Sequence, residues 1–248
     1  MSNWLNPDNA FFTFMGKAFD MLVINTIWLV LCLPLPALSI VWAGQTGITA
    51  FLILTFLSLL PVVPATTAMY YTIVKVIRRE RSYAIKEFFR SFKRNFKQGA
   101  VFSVIALVLV ALLYIDFKYA LALVEAQESS GSTYFGVFLV VAILFGGMFT
   151  FICPILSRFE MKLTGFIKTA FLMATRHALT TLVLLVIGIG VLLGCYVLLP
   201  GIFILPVVGT LLASFMIERV FKKYMPVKEE TPEGEEEAGQ EHDEWYLE

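Results

Sequence analysis

The chain is punctuated by apolar runs of about twenty residues that carry no charge, and these runs decide what it can fold into. A helix rises about 1.5 Å per residue, so a run of that length crosses a hydrocarbon core roughly 30 Å thick. Spans are read at about 20–42, 48–77, 99–123, 133–157, 178–199 and 201–218. The reading predicts an all-α fold, a polytopic integral membrane bundle of about six transmembrane helices. Hydrophobic residues make up 58% of the 248 and charged residues 15%, against roughly 25% charged in ordinary soluble domains. A soluble fold of this size could not hide so much apolar surface.

Several spans carry prolines: Pro34 and Pro36 in the first, Pro61 and Pro64 in the second, Pro206 in the last. A membrane helix tolerates them where neighbours satisfy the freed carbonyls, so the second span is expected to kink. Pro200 and Gly201 are expected to make the tight turn of the last helical hairpin. Lysine and arginine set the orientation, because positive loops stay on the cytoplasmic side. Of nineteen basic residues only Lys118 falls on the opposite side in a six-helix arrangement with both termini cytoplasmic, and five helices would break that pattern. No small-residue cleavage site follows the first apolar block, so that helix is expected to stay. Residues 1–226 are read as the transmembrane domain and 227–248 as an acidic, disordered cytoplasmic tail holding ten of the nineteen acids.

The most informative charged segment lies between the second and third spans. At about 100° per residue, Ile85, Phe88, Phe89, Phe92 and Phe96 fall on one stripe, with Lys86, Arg90, Lys93, Arg94 and Lys97 on the adjacent face. The segment 82–98 is therefore expected to be an amphipathic basic helix. It could lie among anionic headgroups, pack beneath the bundle, or dock into a groove on a soluble partner. A second connection, 158–177, opens with Arg158-Phe159-Glu160. Phe88-Phe89-Arg90-Ser91 and Phe166-Ile167-Lys168-Thr169 stand at similar distances before a following span, as in an internal duplication.

Within the spans no ionisable residue lies at mid-depth, which argues against a proton-coupled pump. Asn25, Thr66, Thr67, Tyr70 and Tyr71 could line a polar path or make helix-to-helix hydrogen bonds, and Pro61 and Pro64 mark a kink or gate beside them. Cys32, Cys153 and Cys195 each sit in an apolar run and are read as small buried hydrophobes. His177 and His242 have no second ligand spaced around them, and no nucleophile elbow or phosphate-binding glycine loop occurs. The expectation is a protein that is not an enzyme, with no catalytic residues, cofactor or metal, and with no nucleic-acid partner. Trp245, Tyr246 and Leu247 end the tail as a short motif that chance explains.

Several strings resemble the YesL-like bacterial membrane proteins, the domain of unknown function 624. They are Asn6-Pro7-Asp8-Asn9-Ala10-Phe11-Phe12, Phe14-Met15-Gly16, Pro64-Ala65-Thr66-Thr67-Ala68-Met69-Tyr70-Tyr71 and Phe88-Phe89-Arg90-Ser91-Phe92-Lys93 with Asn95-Phe96-Lys97-Gln98. Leu156-Ser157-Arg158-Phe159-Glu160 and Phe221-Lys222-Lys223-Tyr224-Met225-Pro226 agree, so the resemblance covers about Asn6 to Pro226. Against that family's pattern, Ser39 to Leu60 look like added apolar sequence. The resemblance implies a cell-membrane protein of Gram-positive bacteria, encoded beside sugar importers of the ATP-binding-cassette type or sensor kinases. It supplies no catalytic residues. A non-enzymatic accessory component of carbohydrate uptake is the leading expectation, with importer subunits or a sensor kinase as partners; a stand-alone small-solute transporter is the alternative.

Overall fold

The computed structural model describes residues 10–33, 56–79, 83–128 and 130–224. Pro34, Pro36, the end of the first predicted span, the start of the second, Arg81 and most of Ser39–Leu60 lie outside the described residues. So do the Asn6–Asn9 string, Met225-Pro226 and the acidic tail with His242, Trp245, Tyr246 and Leu247. Every regular element among the described residues is helical: α1 Ala10–Cys32, α2 Val62–Thr72, α3 Ala84–Glu125, α4 Gly131–Arg158, α5 Leu163–Arg176, α6 Ala178–Val197 and α7 Leu205–Phe221. A π-helical stretch, Ile73–Arg78, continues α2, and a 3₁₀ turn, Leu199–Phe203, joins α6 to α7. Among the described residues five stretches are long and apolar enough to cross a membrane: Thr13–Cys32, Phe56–Arg78, Ala84–Glu125, Gly131–Arg158 and Ala178–Val197. Their apolar outer faces, such as Val108, Val110 and Leu112 on α3 and Val186, Ile189 and Leu192 on α6, are exposed, as lipid-facing surfaces are. This is a membrane protein. The predicted span 201–218 is divided by the 3₁₀ turn, so that α7 has only 17 residues. Pro206 falls in its first turn, where a missing N–H costs nothing.

The bundle is organised around α2. In the apolar part of Phe56–Arg78, the span that contains α2, 67% of the residues are buried, against 11% in α3 and 22% in α4. Both its sides are covered: Val63, Tyr70, Tyr71 and Val74 pack with Phe102, Phe151, Phe166 and Phe221, while Ala65, Met69, Ile73 and Ile77 pack with Ile24, Phe88 and Val207. Pro64 has no N–H for the Leu60 carbonyl, and Ser103 of α3 supplies the missing donor: its Oγ donates to Leu60 O at 3.0 Å and accepts Val63 N–H at 3.2 Å. Gly99 permits the close approach this requires. A Cβ there would stand 2.9 Å from Pro64 Cβ and 3.0 Å from its Cα and Cδ. The antiparallel pairing runs on to Lys75 and Glu87, so α2 lies against the basic half of α3.

Helix α3 is one unbroken helix of 42 residues, roughly 63 Å long, where the sequence reading had a separate amphipathic helix followed by a span. Nothing between Lys97 and Ala100 breaks it, since Gly99 is held by its contact with Pro64. The C-terminal half of α3 pairs with α4, with Phe117–Phe138 centroids at 5.9 Å and Tyr119–Tyr134 at 5.3 Å. The connection 158–177 is likewise largely helical, as α5. Phe88 and Phe166, the leading residues of the two similar strings, are both fully buried near the starts of their helices.

Two substitutions test the α2–α3 contact by thermal unfolding in detergent. Ser103→Ala leaves the Leu60 carbonyl and the Val63 N–H without this partner, with an expected cost of about 1–3 kcal/mol. Gly99→Ala is expected to lower the melting temperature as well. Overpacking costs about 1–3 kcal/mol and Pro64 presents ring and main-chain atoms that cannot swing aside, so it outweighs the roughly 1 kcal/mol gain in helix propensity.

Candidate functional site

Helices α2, α3, α4 and α7 enclose a seam of buried charge. On α3 the inward positions are Glu87, Ser91 and Asn95, spaced four apart, and all three are buried. Lys75 faces them from the π-helical stretch, its Nζ 3.2 Å from Glu87 Oε2 and 3.3 Å from Tyr71 Oη. Both partners are almost wholly enclosed, with side chains 6% and 3% exposed. A π-turn shifts the register of the residues that follow it, which lets α2 present Lys75 to α3 and Arg78 to α7. Arg78 Nη1 donates to Ser214 O at 3.1 Å, and its guanidinium lies 4.4 Å from the Phe215 ring centroid.

A second ion pair closes the opposite side of α2. Arg158, at the end of α4, pairs with Glu218 of α7, and Tyr70 Oη donates to the same Glu218 oxygen at 2.8 Å. Arg94 reaches from α3 to the Ser157 carbonyl at 3.0 Å, and Gln98 to the Met161 carbonyl at 3.3 Å. Buried ions are costly to desolvate and persist only where paired and hydrogen-bonded. Here Glu87 meets Lys75, and Glu218 meets both Arg158 and the Tyr70 phenol, so the seam locks four helices together. At the start of α6, His177 Nε2 lies 2.9 Å from Tyr224 Oη, and partial burial together with nearby Lys223 and Arg176 holds its pKa below the usual value.

The phenylalanine stripe is split by this packing. Phe88 is fully buried and Phe92 half-buried, whereas Ile85, Phe89 and Phe96 are exposed beside Arg90, Lys93, Arg94 and Lys97. Phe92 and Phe96 stack edge to face at 5.4 Å. Helix α3 turns its Glu87–Ser91–Asn95 side inward because α2 offers Lys75 there, a counter-charge that apolar periodicity does not register. Among the polar residues of the first two spans, Asn25 Nδ2 donates to the Ile202 carbonyl at 3.0 Å, and Trp28 Nε1 to Thr66 Oγ1 at 3.1 Å. Thr66 Oγ1 donates back to Val62 O, and Thr67 is fully buried. Tyr70 and Tyr71 belong to the charged seam; Pro61 caps α2, and Pro64 meets Gly99. In the Arg158-Phe159-Glu160 string, Arg158 enters the ion pair, Phe159 packs edge-on against Phe221 at 5.8 Å, and Glu160 is exposed.

Sequence reasoning missed Lys75–Glu87, Arg158–Glu218 and Ser103. A signal was present for two of them. Lys75 stands alone in Ile73-Val74-Lys75-Val76-Ile77, a lone charge in an apolar run that demands a partner, and Glu218 closes the apolar run Phe215-Met216-Ile217. The partner's identity, sixty residues away for Arg158 and Glu218, carried no local mark.

The seam's structural role is open to test. Arg158→Met strands a buried carboxylate and is expected to destabilise the protein by about 3–5 kcal/mol. The combination with Glu218→Leu and Tyr70→Phe, which removes the whole cluster, is expected to recover a large part of that loss. Thermal unfolding of the single and triple variants in one detergent measures both.

Residues 21–117 match a family model described as "Protein of unknown function, DUF624". The matched stretch contains the second half of α1, all of α2 and α3 as far as Phe117, hence Lys75 and Glu87, but not Arg158 or Glu218. The chain is 24% identical over 163 residues to "Uncharacterized protein YesL" of Bacillus subtilis (strain 168), covering 65% of this chain and 74% of that protein. No solved structure matches it.

Proposed function

From the premise that the chain is a YesL-like member of the DUF624 family, we propose that it is a non-enzymatic accessory component of the cell membrane that docks a partner on its basic face. The observation that carries this reading is the outer face of α3. Its inner side is anchored by Lys75–Glu87 and Arg94–Ser157, while Ile85, Phe89 and Phe96 stand exposed among Lys86, Arg90, Lys93 and Lys97. A rigid helix that presents apolar anchors within a charged rim is the anatomy of a recognition surface, with little ordering entropy left to lose on binding. Retention of positive loops on the inner side supports a cytoplasmic face and cytoplasmic termini, and hence a soluble or membrane-bound partner reached from the cytoplasm. Resemblance to the YesL-like family supports a carbohydrate importer of the ATP-binding-cassette type, or its sensor kinase, as that partner. The side chains of Asn25, Thr66, Tyr70 and Tyr71 are engaged in contacts between helices, which favours docking over a polar route through the bundle.

Affinity purification of the mildly solubilised protein from its native cells, with mass spectrometry, tests the proposal. Importer or kinase subunits are expected to accompany the wild type. Phe89→Ala with Phe96→Ala is expected to reduce their recovery at least about tenfold, since exposed aromatic anchors contribute on the order of 1–2 kcal/mol each. Phe88 is unsuitable for this test because it is buried and its loss would damage the fold. Unchanged recovery would remove α3 from the interface. Recovery of the wild type alone would reject the docking role and turn attention to solute flux in liposomes.

A further inference from the structure

Outside the charged seam the described residues form an apolar groove of about 510 Å³ where α5 crosses α3 and α4. Ile105 and Leu109 of α3, Phe145 and Met148 of α4, and Ile167 and Phe171 of α5 line it. Ile105 and Leu109 lie eight and twelve residues beyond Lys97, or roughly 12 and 18 Å along residues 98–115 of α3, which carry no charge. The groove therefore opens toward hydrocarbon, beside the exposed Val108 and Val110, where a water-soluble partner has no access. Its polar residues are Thr164 and Lys168, one helical turn apart on α5, both exposed at the rim. Lys168 makes no ion pair with the described residues. Residues 161–176 contain Lys162, Lys168 and Arg176 and no acid, so the rim carries net positive charge.

An apolar slot at acyl-chain depth, with an exposed ammonium and a hydroxyl at its mouth, matches one amphiphile. We propose that this groove holds an acyl chain of an anionic phospholipid whose phosphate is bound by Lys168 and Thr164. The charge complement distinguishes it from a zwitterionic lipid, for which the rim has no carboxylate to meet the amine. This site is separate from the outer face of α3, so it stands or falls independently of partner docking.

Native mass spectrometry of the purified full chain tests it, after incubation with an equal mixture of phosphatidylglycerol and phosphatidylcholine of identical chains. One phosphatidylglycerol per chain is expected, retained about fivefold over phosphatidylcholine, the factor that one interfacial lysine supplies. Lys168→Glu is expected to abolish that preference, while Lys222→Glu, exposed and outside the groove, keeps it. Filling the groove with Ile105→Trp is expected to remove retention of both lipids; Leu109→Trp is the replacement if that variant unfolds. Equal retention of the two lipids by the wild type, or a wild-type preference in Lys168→Glu, overturns the proposal. A lipid-free dimer abolished by the tryptophan variant overturns it too, and assigns the groove to a second copy of the chain.

Discussion

The contact between Pro64 and Gly99 sets the distance between α2 and α3, and most of the described bundle is arranged around that pair of helices. A proline inside a membrane helix leaves a carbonyl without its donor, and in hydrocarbon no water can serve. Ser103 answers that need from the neighbouring helix, which is possible only because Gly99 lets the backbones approach so closely. Once α2 and α3 are in this register, Lys75 and Glu87 meet three turns farther along, and α2 is enclosed by α1, α4 and α7.

The buried charges follow from the same enclosure. Two ion pairs in a largely apolar bundle contribute little net stability compared with well-packed hydrophobic residues, because desolvation consumes most of the Coulomb energy. Their effect is specificity: any other register of α2, α4 or α7 would leave Lys75, Glu87, Arg158 or Glu218 charged and unpaired. The seam thereby holds the basic half of α3 as a fixed surface instead of a fraying extension. A recognition face gains from that, since a helix ordered in advance loses less entropy on binding. On the opposite flank, α5 lies across apolar stretches of α3 and α4 and leaves a slot between them.

Much of this was legible in the chain. The apolar runs announced the helices, the basic clusters announced the amphipathic segment, and Pro61 and Pro64 announced a break needing support from a neighbour. The orientation of the amphipathic segment was not legible, because its periodicity placed Phe88 and Phe89 on the same stripe while the fold buries one and exposes the other. Nor was its continuity with the following span, since a glycine between two helical segments marks equally a hinge and a close packing contact.

The sequence by itself determined the class of structure, a bundle of apolar helices with basic connections, because both follow from composition and local periodicity. Tertiary structure alone decided that α2 is buried by protein more than by lipid, and that Lys75 faces Glu87 and Arg158 faces Glu218. It also decided which residues of α3 are left outside. Those facts depend on pairings between residues as far as 148 positions apart, as Tyr70 and Glu218 are. A buried charge is stable only opposite its partner, and nothing along a single chain states where that partner will be.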